Sequence, residues 1–220
     1  YCRPMAWVTV PATYTGGNDR TAWIRSRHAA AVEALQRRGL SYTQAWWAAV
    51  ALLGHWIRET GRGRSEHQFS VGNIRATSAW HGRVQYLQGG DDAAPAPYRA
   101  YGSVAEGVEN AVKLAVDSSL YRHAFQQLLA SESGGPYVVN YGTKSVAFPI
   151  DAPAWYSALA HAGWHPWTAE GMAEYRGTVI AAAQAVGAPP YVSSTFGKVA
   201  VGAGVAAVGM ALFVVLRGRR

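Results

Sequence analysis

The sequence predicts a mainly α-helical domain, a helical bundle carrying a small β-lobe with a cleft between them, followed by a C-terminal transmembrane helix. Three observations predict it. Helix-period segments with capping residues recur through most of residues 21–187. That period lapses between 61 and 97, where Gly, Asp and Pro surround a β-prone run at 83–86, suggesting loops and a small hairpin. Residues 199–216 then run for 18 positions without a charge.

The first helix fits residues 21–38 and is ended by Gly39. The second opens on Ser41, with Gln44 three residues on, a capping-box pattern. It is apolar nearly all round and therefore belongs in the middle of a core, until Gly61 and Gly63 break it. Ser103 and Glu106 form a second capping-box pattern, opening a helix to about 117, and another helix fits 119–130. Residues 131–136 read as a turn and 137–149 as a glycine-containing loop without assigned chemistry. Asp151 caps a helix to Ala162, followed by Gly163, and Thr168 caps one to Val186, followed by Gly187. The expected organisation is an N-terminal extension (1–20), the domain (21–187), a linker (188–197), a transmembrane helix (198–217) and a basic tail (218–220).

Half of the 220 residues are hydrophobic and 15% are charged, which excludes a disordered or highly charged scaffold. A single cysteine, Cys2, excludes an internal disulfide and a cysteine-based zinc site. The seven histidines form no HExxH pattern, and Gly163 and Pro166 argue against one helix carrying both His161 and His165. Neither a metal nor a cofactor is expected. The net charge is +7, but Lys198, Arg217, Arg219 and Arg220 supply +4 of it, leaving +3 for the body. That distribution argues against a nucleic-acid partner. At about 1.5 Å per helical residue the uncharged run reaches roughly 27 Å, close to the hydrocarbon thickness of a bilayer. Three positive residues beyond it against one before it place the C-terminus on the cytoplasmic side and the domain outside, in the periplasm or the wall space. Small residues such as Gly202, Gly204 and Gly209 permit a homo-oligomer. No secretory signal is visible at Tyr1, which fits a removed upstream segment or delivery without a signal.

The chemistry-bearing stretch is residues 55–65 followed by 69–76. Glu59 ends the most hydrophobic helix of the domain. Desolvation beside Trp56 and the negative end of the helix dipole both favour its protonated form. Arg58, Arg62 and Arg64 oppose them if their side chains reach it. A protonated Glu59 can donate to a glycosidic oxygen; a solvated helix-end residue paired with an arginine fits the spacing equally well.

At these residues the sequence resembles the glucosaminidase branch of the lysozyme-like superfamily, the flagellar- and autolysin-type peptidoglycan hydrolases. Residues 59–65 (ETGRGRS) stand where that branch has ESGWGxS, and Gly72, Asn73, Ile74 and Arg75 match a GNIR variant found in phage-associated domains. Residues 98–103 with Glu106 are similar to an FRxYxS segment, and Trp164, His165 and Pro166 with Tyr175 to a degenerate GYATDPxY. The resemblance implies an α+β lysozyme-like fold with Glu59 as catalytic acid. It implies peptidoglycan glycan strands as the bound partner, with Ser65, Asn73, Tyr101 and Trp164, which fall in these motifs, as substrate-binding residues. Trp80, a substrate-binding candidate beside them, and Tyr86 and Tyr141 are able to stack on sugar rings by their flat apolar faces, core packing being the plainer role for each. The sequence departs from the pattern where Arg62 replaces a tryptophan. The stretch aligned with the second carboxylate, residues 80–88, has no acid, so Asp92 or its neighbour Asp91 is the candidate; an exposed Gly-Gly-Asp-Asp turn is the plainer reading of that pair. The resemblance leans toward an endo-β-N-acetylglucosaminidase held at the membrane, with muramidase and lytic transglycosylase open. A phage virion protein for wall penetration fits the same residues, with virion proteins as partners. A catalytically inactive wall-binding membrane protein on the same scaffold is the rival from another class.

Overall fold

In the computed structural model, which describes residues 7–88 and 94–189, one helix organises the domain. This is α2 (Tyr42–Thr60), in which every residue from 47 to 57 is buried, as its all-round apolar sequence requires. Trp56, Ile57, Leu52 and Leu53 are at most 2% exposed, each worth roughly 1.5–3 kcal/mol of burial. Ser41 and Gln44 close the expected capping box at its start. The helix α1 (Arg20–Gln36), capped by Asp19, and α6 (Ala169–Val186), capped by Thr168, flank α2 most extensively. At Gly54 the backbone of α6 comes so close that a Cβ would lie 2.9 Å from the Tyr175 ring and 3.0 Å from Val179 Cβ. Three further helices complete the bundle: α3 (Val104–Asp117) against α1, then α4 (Arg122–Ala130) and α5 (Ala152–His161) against each other. The helix expected at 119–130 starts at Arg122, because residues 118–121 form a turn closed by Arg122 N–H to Ser118 O.

The β-lobe holds three short strands. The expected hairpin is β2 (Arg83–Leu87) paired antiparallel with β3 (Ala96–Arg99). On its other side β2 takes β1 (Val8–Thr9) as a parallel partner, Val8 opposite Arg83. The N-terminal residues thus join the sheet, and Tyr14 bridges to His67 farther along. A second hairpin corrects the loop expected at 137–149. Strands β4 (Tyr137–Tyr141) and β5 (Lys144–Phe148) pair antiparallel about Gly142, and β4 packs against α6. Val139 and Phe148 turn inward to the core while Val138 stays 60% exposed. The expected transmembrane helix lies outside the described residues; among those described, no helix is long and apolar enough to cross a membrane.

Candidate active site

Helix α2 stops at Gly61, which takes the left-handed conformation (φ +57°) and donates its N–H to Ile57 O. The buried Thr60 hydroxyl donates to Trp56 O at 2.7 Å and accepts from Gly63 N–H at 3.1 Å, locking the turn that follows. Glu59 is thereby held one residue from the helix end with its side chain 25% exposed: mostly desolvated, yet reachable from solvent. Burial raises its pKa from the ordinary glutamate value, opposed by Arg58, whose Nη1 lies 3.3 Å from Oε1. Of the three arginines expected to act on Glu59, Arg58 is the one that reaches it. The same guanidinium donates from Nε to Glu174 on α6 at 3.1 Å, so it is shared between two carboxylates. The sequence places Arg58 beside Glu59, but Glu174 carries no motif that singles it out there.

The second and fourth motif regions touch α2 near this end. Asn73, from the second, has a left-handed backbone (φ +44°) and donates from Nδ2 to the Glu59 carbonyl at 3.0 Å. The third docks on the second: Tyr101 N–H donates to Gln68 O at 2.9 Å, and Gly107 packs against Phe69 O. The fourth covers the turn of α2 that precedes Glu59. There the buried His55 meets Trp164 edge-on at 4.9 Å and His165 at 6.0 Å. His165 in turn stacks on Tyr156 at 4.2 Å, and Arg58 lies 5.8 Å over the Tyr156 ring. Burial pushes His55 down to about 3, with His165 and Arg58 pushing the same way, so the imidazole beneath Glu59 is neutral. Neither of its ring nitrogens has a hydrogen-bond partner among the described residues.

The candidate substrate residues separate. Ser65 is exposed in the turn and donates its N–H to Thr60 O, while Asn73 touches the Glu59 backbone. Trp80 is half-buried; it donates to Arg83 O, carries the Arg99 guanidinium at 4.7 Å and meets Tyr101 at 5.9 Å. Trp164 is half-buried between His55 and Tyr121. Tyr101 is corrected from stacking platform to core residue: it is 1% exposed and its hydroxyl donates to Asn110 Oδ1 at 2.8 Å. No sugar face can reach a ring so enclosed. Tyr86 and Tyr141 keep 46% and 47% exposure and retain that capacity. Asp91 and Asp92 lie outside the described residues. Among the described residues no three His, Cys, Asp or Glu side chains converge as metal ligands.

Sequence reasoning passed over Glu66. It is fully buried and forms an ion pair with Arg27, which donates to it from Nη2 and Nε. Trp23 Nε1–H and the Thr15 hydroxyl donate to the same carboxylate at 3.0 and 3.1 Å. The turn after α2 is thus tied to α1 and to the N-terminal segment. Only the contrast of an acid within an otherwise neutral and basic turn marked it, and its partner is 39 residues away.

Among known proteins, no family profile and no curated sequence matches the chain. Two solved structures are similar to it: the glycoside hydrolase domain of FlgJ from Salmonella typhimurium and a C-terminally truncated form of that domain. The first has 17% identity and a TM-score of 0.49 over 74% of this chain and 88% of that one. The second has 17% identity and a TM-score of 0.47 over 74% of this chain and 97% of that one.

Proposed function

We propose that the chain is a peptidoglycan glycoside hydrolase that cleaves the β-1,4 glycan backbone with Glu59 as general acid. The observation that carries this reading is a carboxyl group at the broken end of the most buried helix, desolvated enough to raise its pKa yet open to solvent. A group so placed keeps its proton nearer neutrality than an ordinary carboxyl and can pass it to a leaving oxygen. The contacts of the second and fourth motif regions with that end of α2 support it further.

In the reaction Glu59 gives its proton to the glycosidic oxygen as the bond from that oxygen to the anomeric carbon breaks. Water attacks the anomeric carbon as that bond breaks and gives up a proton to the second carboxylate, Asp92. If Glu59 acts alone, the sugar's own 6-hydroxyl closes on the anomeric carbon and passes its proton to the Glu59 carboxylate, the lytic transglycosylase outcome. The endo-β-N-acetylglucosaminidase reading is the first choice, on the 59–65 and 72–75 motifs. The uncharged run at 199–216 supports anchoring at a membrane with the domain facing the wall.

Mass spectrometry of muropeptides released from purified walls tests the bond. New reducing N-acetylglucosamine ends are expected. Reducing N-acetylmuramic acid ends would reassign the chain as a muramidase, and anhydro ends as a transglycosylase. Release of no fragment would leave the wall-binding alternative.

A further inference from the structure

Beside the end of α2, lined by Arg58 but not by Glu59 itself, lies an open basin of about 620 Å³. Its floor is Ile57, Arg58 and Gly61 of α2 with the Glu174–Ala181 face of α6; its far wall is the tip of the second hairpin, residues 141–144. Five cations line it: Arg20, Arg58, Arg62, Arg64 and Lys144. The one acid in the lining, Glu174, is already bonded to Arg58. Several arginines elsewhere are neutralised, Arg27 by Glu66, Arg37 and Arg38 by Glu109 and Arg83 by Glu106, while Arg25 and Arg99 bond neutral oxygens singly, away from other unpaired cations. By contrast, Arg20, Arg62 and Arg64 have no carboxylate partner among the described residues, and Lys144 reaches only the Gln184 amide at 3.5 Å.

The wall of the basin is firmly set. Tyr141 packs its ring so near Gly177 that a Cβ there would lie 2.9 Å from it, which fixes the hairpin tip against α6. Arg62 holds a left-handed backbone (φ +63°), a conformation an arginine adopts at a cost. The hairpin that sequence reading left without a role therefore completes a concave cationic site. Guanidinium forks match the paired oxygens of phosphate, and several in one hollow suit repeated anionic groups. The hollow takes a chain segment rather than a flat bilayer surface.

We propose that this basin binds an anionic phosphodiester polymer of the cell wall, holding the domain on the wall beside the glycan strand it cleaves. The choice of a wall polymer rests on the hydrolase reading; the anion site itself does not. The test measures binding of the full-length protein to purified poly(glycerol phosphate), with phosphatidylglycerol vesicles and oligothymidylate as comparators. Arg62→Gln/Arg64→Gln/Lys144→Gln should weaken polymer binding about tenfold or more. Binding by the unaltered protein should fall as salt is raised. Arg62→Lys/Arg64→Lys keeps the charge but loses the fork and should weaken binding by less than the glutamine triple variant does, and Lys144→Gln alone, at an exposed tip, gives a milder loss if the triple variant fails to melt cooperatively. Arg58 is left intact because it also touches Glu59. Equal polymer binding by the unaltered and the triple-variant proteins would overturn the proposal, as would a loss confined to vesicles or oligothymidylate. Clearing of walls stripped of phosphodiester polymer is scored separately. Its absence, with polymer binding intact, would sink the hydrolase reading and leave the site standing.

Discussion

Two glutamates seven residues apart, Glu59 and Glu66, meet opposite fates at the end of one helix. Glu66 is sealed from solvent, but four donors from Arg27, Trp23 and Thr15 compensate its carboxylate. Glu59 is left one quarter exposed, with one arginine that it shares with Glu174. The difference teaches that burial alone does not define a reactive acid. A fully partnered buried carboxylate is a structural tie, whereas a desolvated and under-partnered one with an opening to solvent is poised to hold and release a proton.

The contrast can be broken at its structural end first. Glu66→Gln leaves Arg27 as an uncompensated buried cation and should cost about 3–5 kcal/mol, read as a lower midpoint in chemical denaturation. Glu59→Gln should change stability by no more than about 1 kcal/mol, because it removes a charge whose burial is itself unfavourable. Equal losses in the two variants would erase the distinction.

Acid titration probes the layer beneath Glu59. His55 is held down to about 3 by burial, and His28 to about 4 by burial despite its contact with Trp46 O. Both lie below the ordinary histidine value of about 6.5, so the unfolded chain takes up protons that the folded chain refuses. Their contribution is fully present above that value and is lost as pH falls from about 6.5 toward 4 and then 3. Denaturation midpoints should decline across that window, and His55→Gln should flatten part of the decline. An unchanged slope would mean that His55 is not enclosed between α2 and Trp164.

The smallest effect concerns Tyr101. Tyr101→Phe removes one hydrogen bond to Asn110 and should cost about 1 kcal/mol, with wall clearing unchanged per folded molecule. A selective loss of clearing at unchanged stability would return Tyr101 to the substrate site.

Much of the bundle was legible because its signals are local. The apolar circumference of α2 and the caps at Ser41, Asp151 and Thr168 each act within a few residues. The second hairpin was hidden because its strands are half exposed, so Val138 and Tyr141 face solvent and blur the alternation that marks a strand. Strand β1 depends on pairing with residues more than seventy positions away, which no local pattern encodes. At the site, the helix end and Glu59 could be read from sequence. The Arg58 bridge and the Glu66 tie could not, since each is completed by a residue from a distant helix. Tyr101 was misread because an aromatic in a motif looks the same whether it lines a cleft or fills a core.

The most direct measurement is the pH profile of wall clearing by the full-length protein, run beside Glu59→Gln. With Glu59 as the acid, clearing should persist to higher pH than an ordinary glutamate would allow and fall as pH rises through the raised pKa. The glutamine variant should lose activity by roughly 10²–10⁴-fold at every pH while remaining folded. A folded glutamine variant that clears walls at the original rate would contradict the assignment of Glu59.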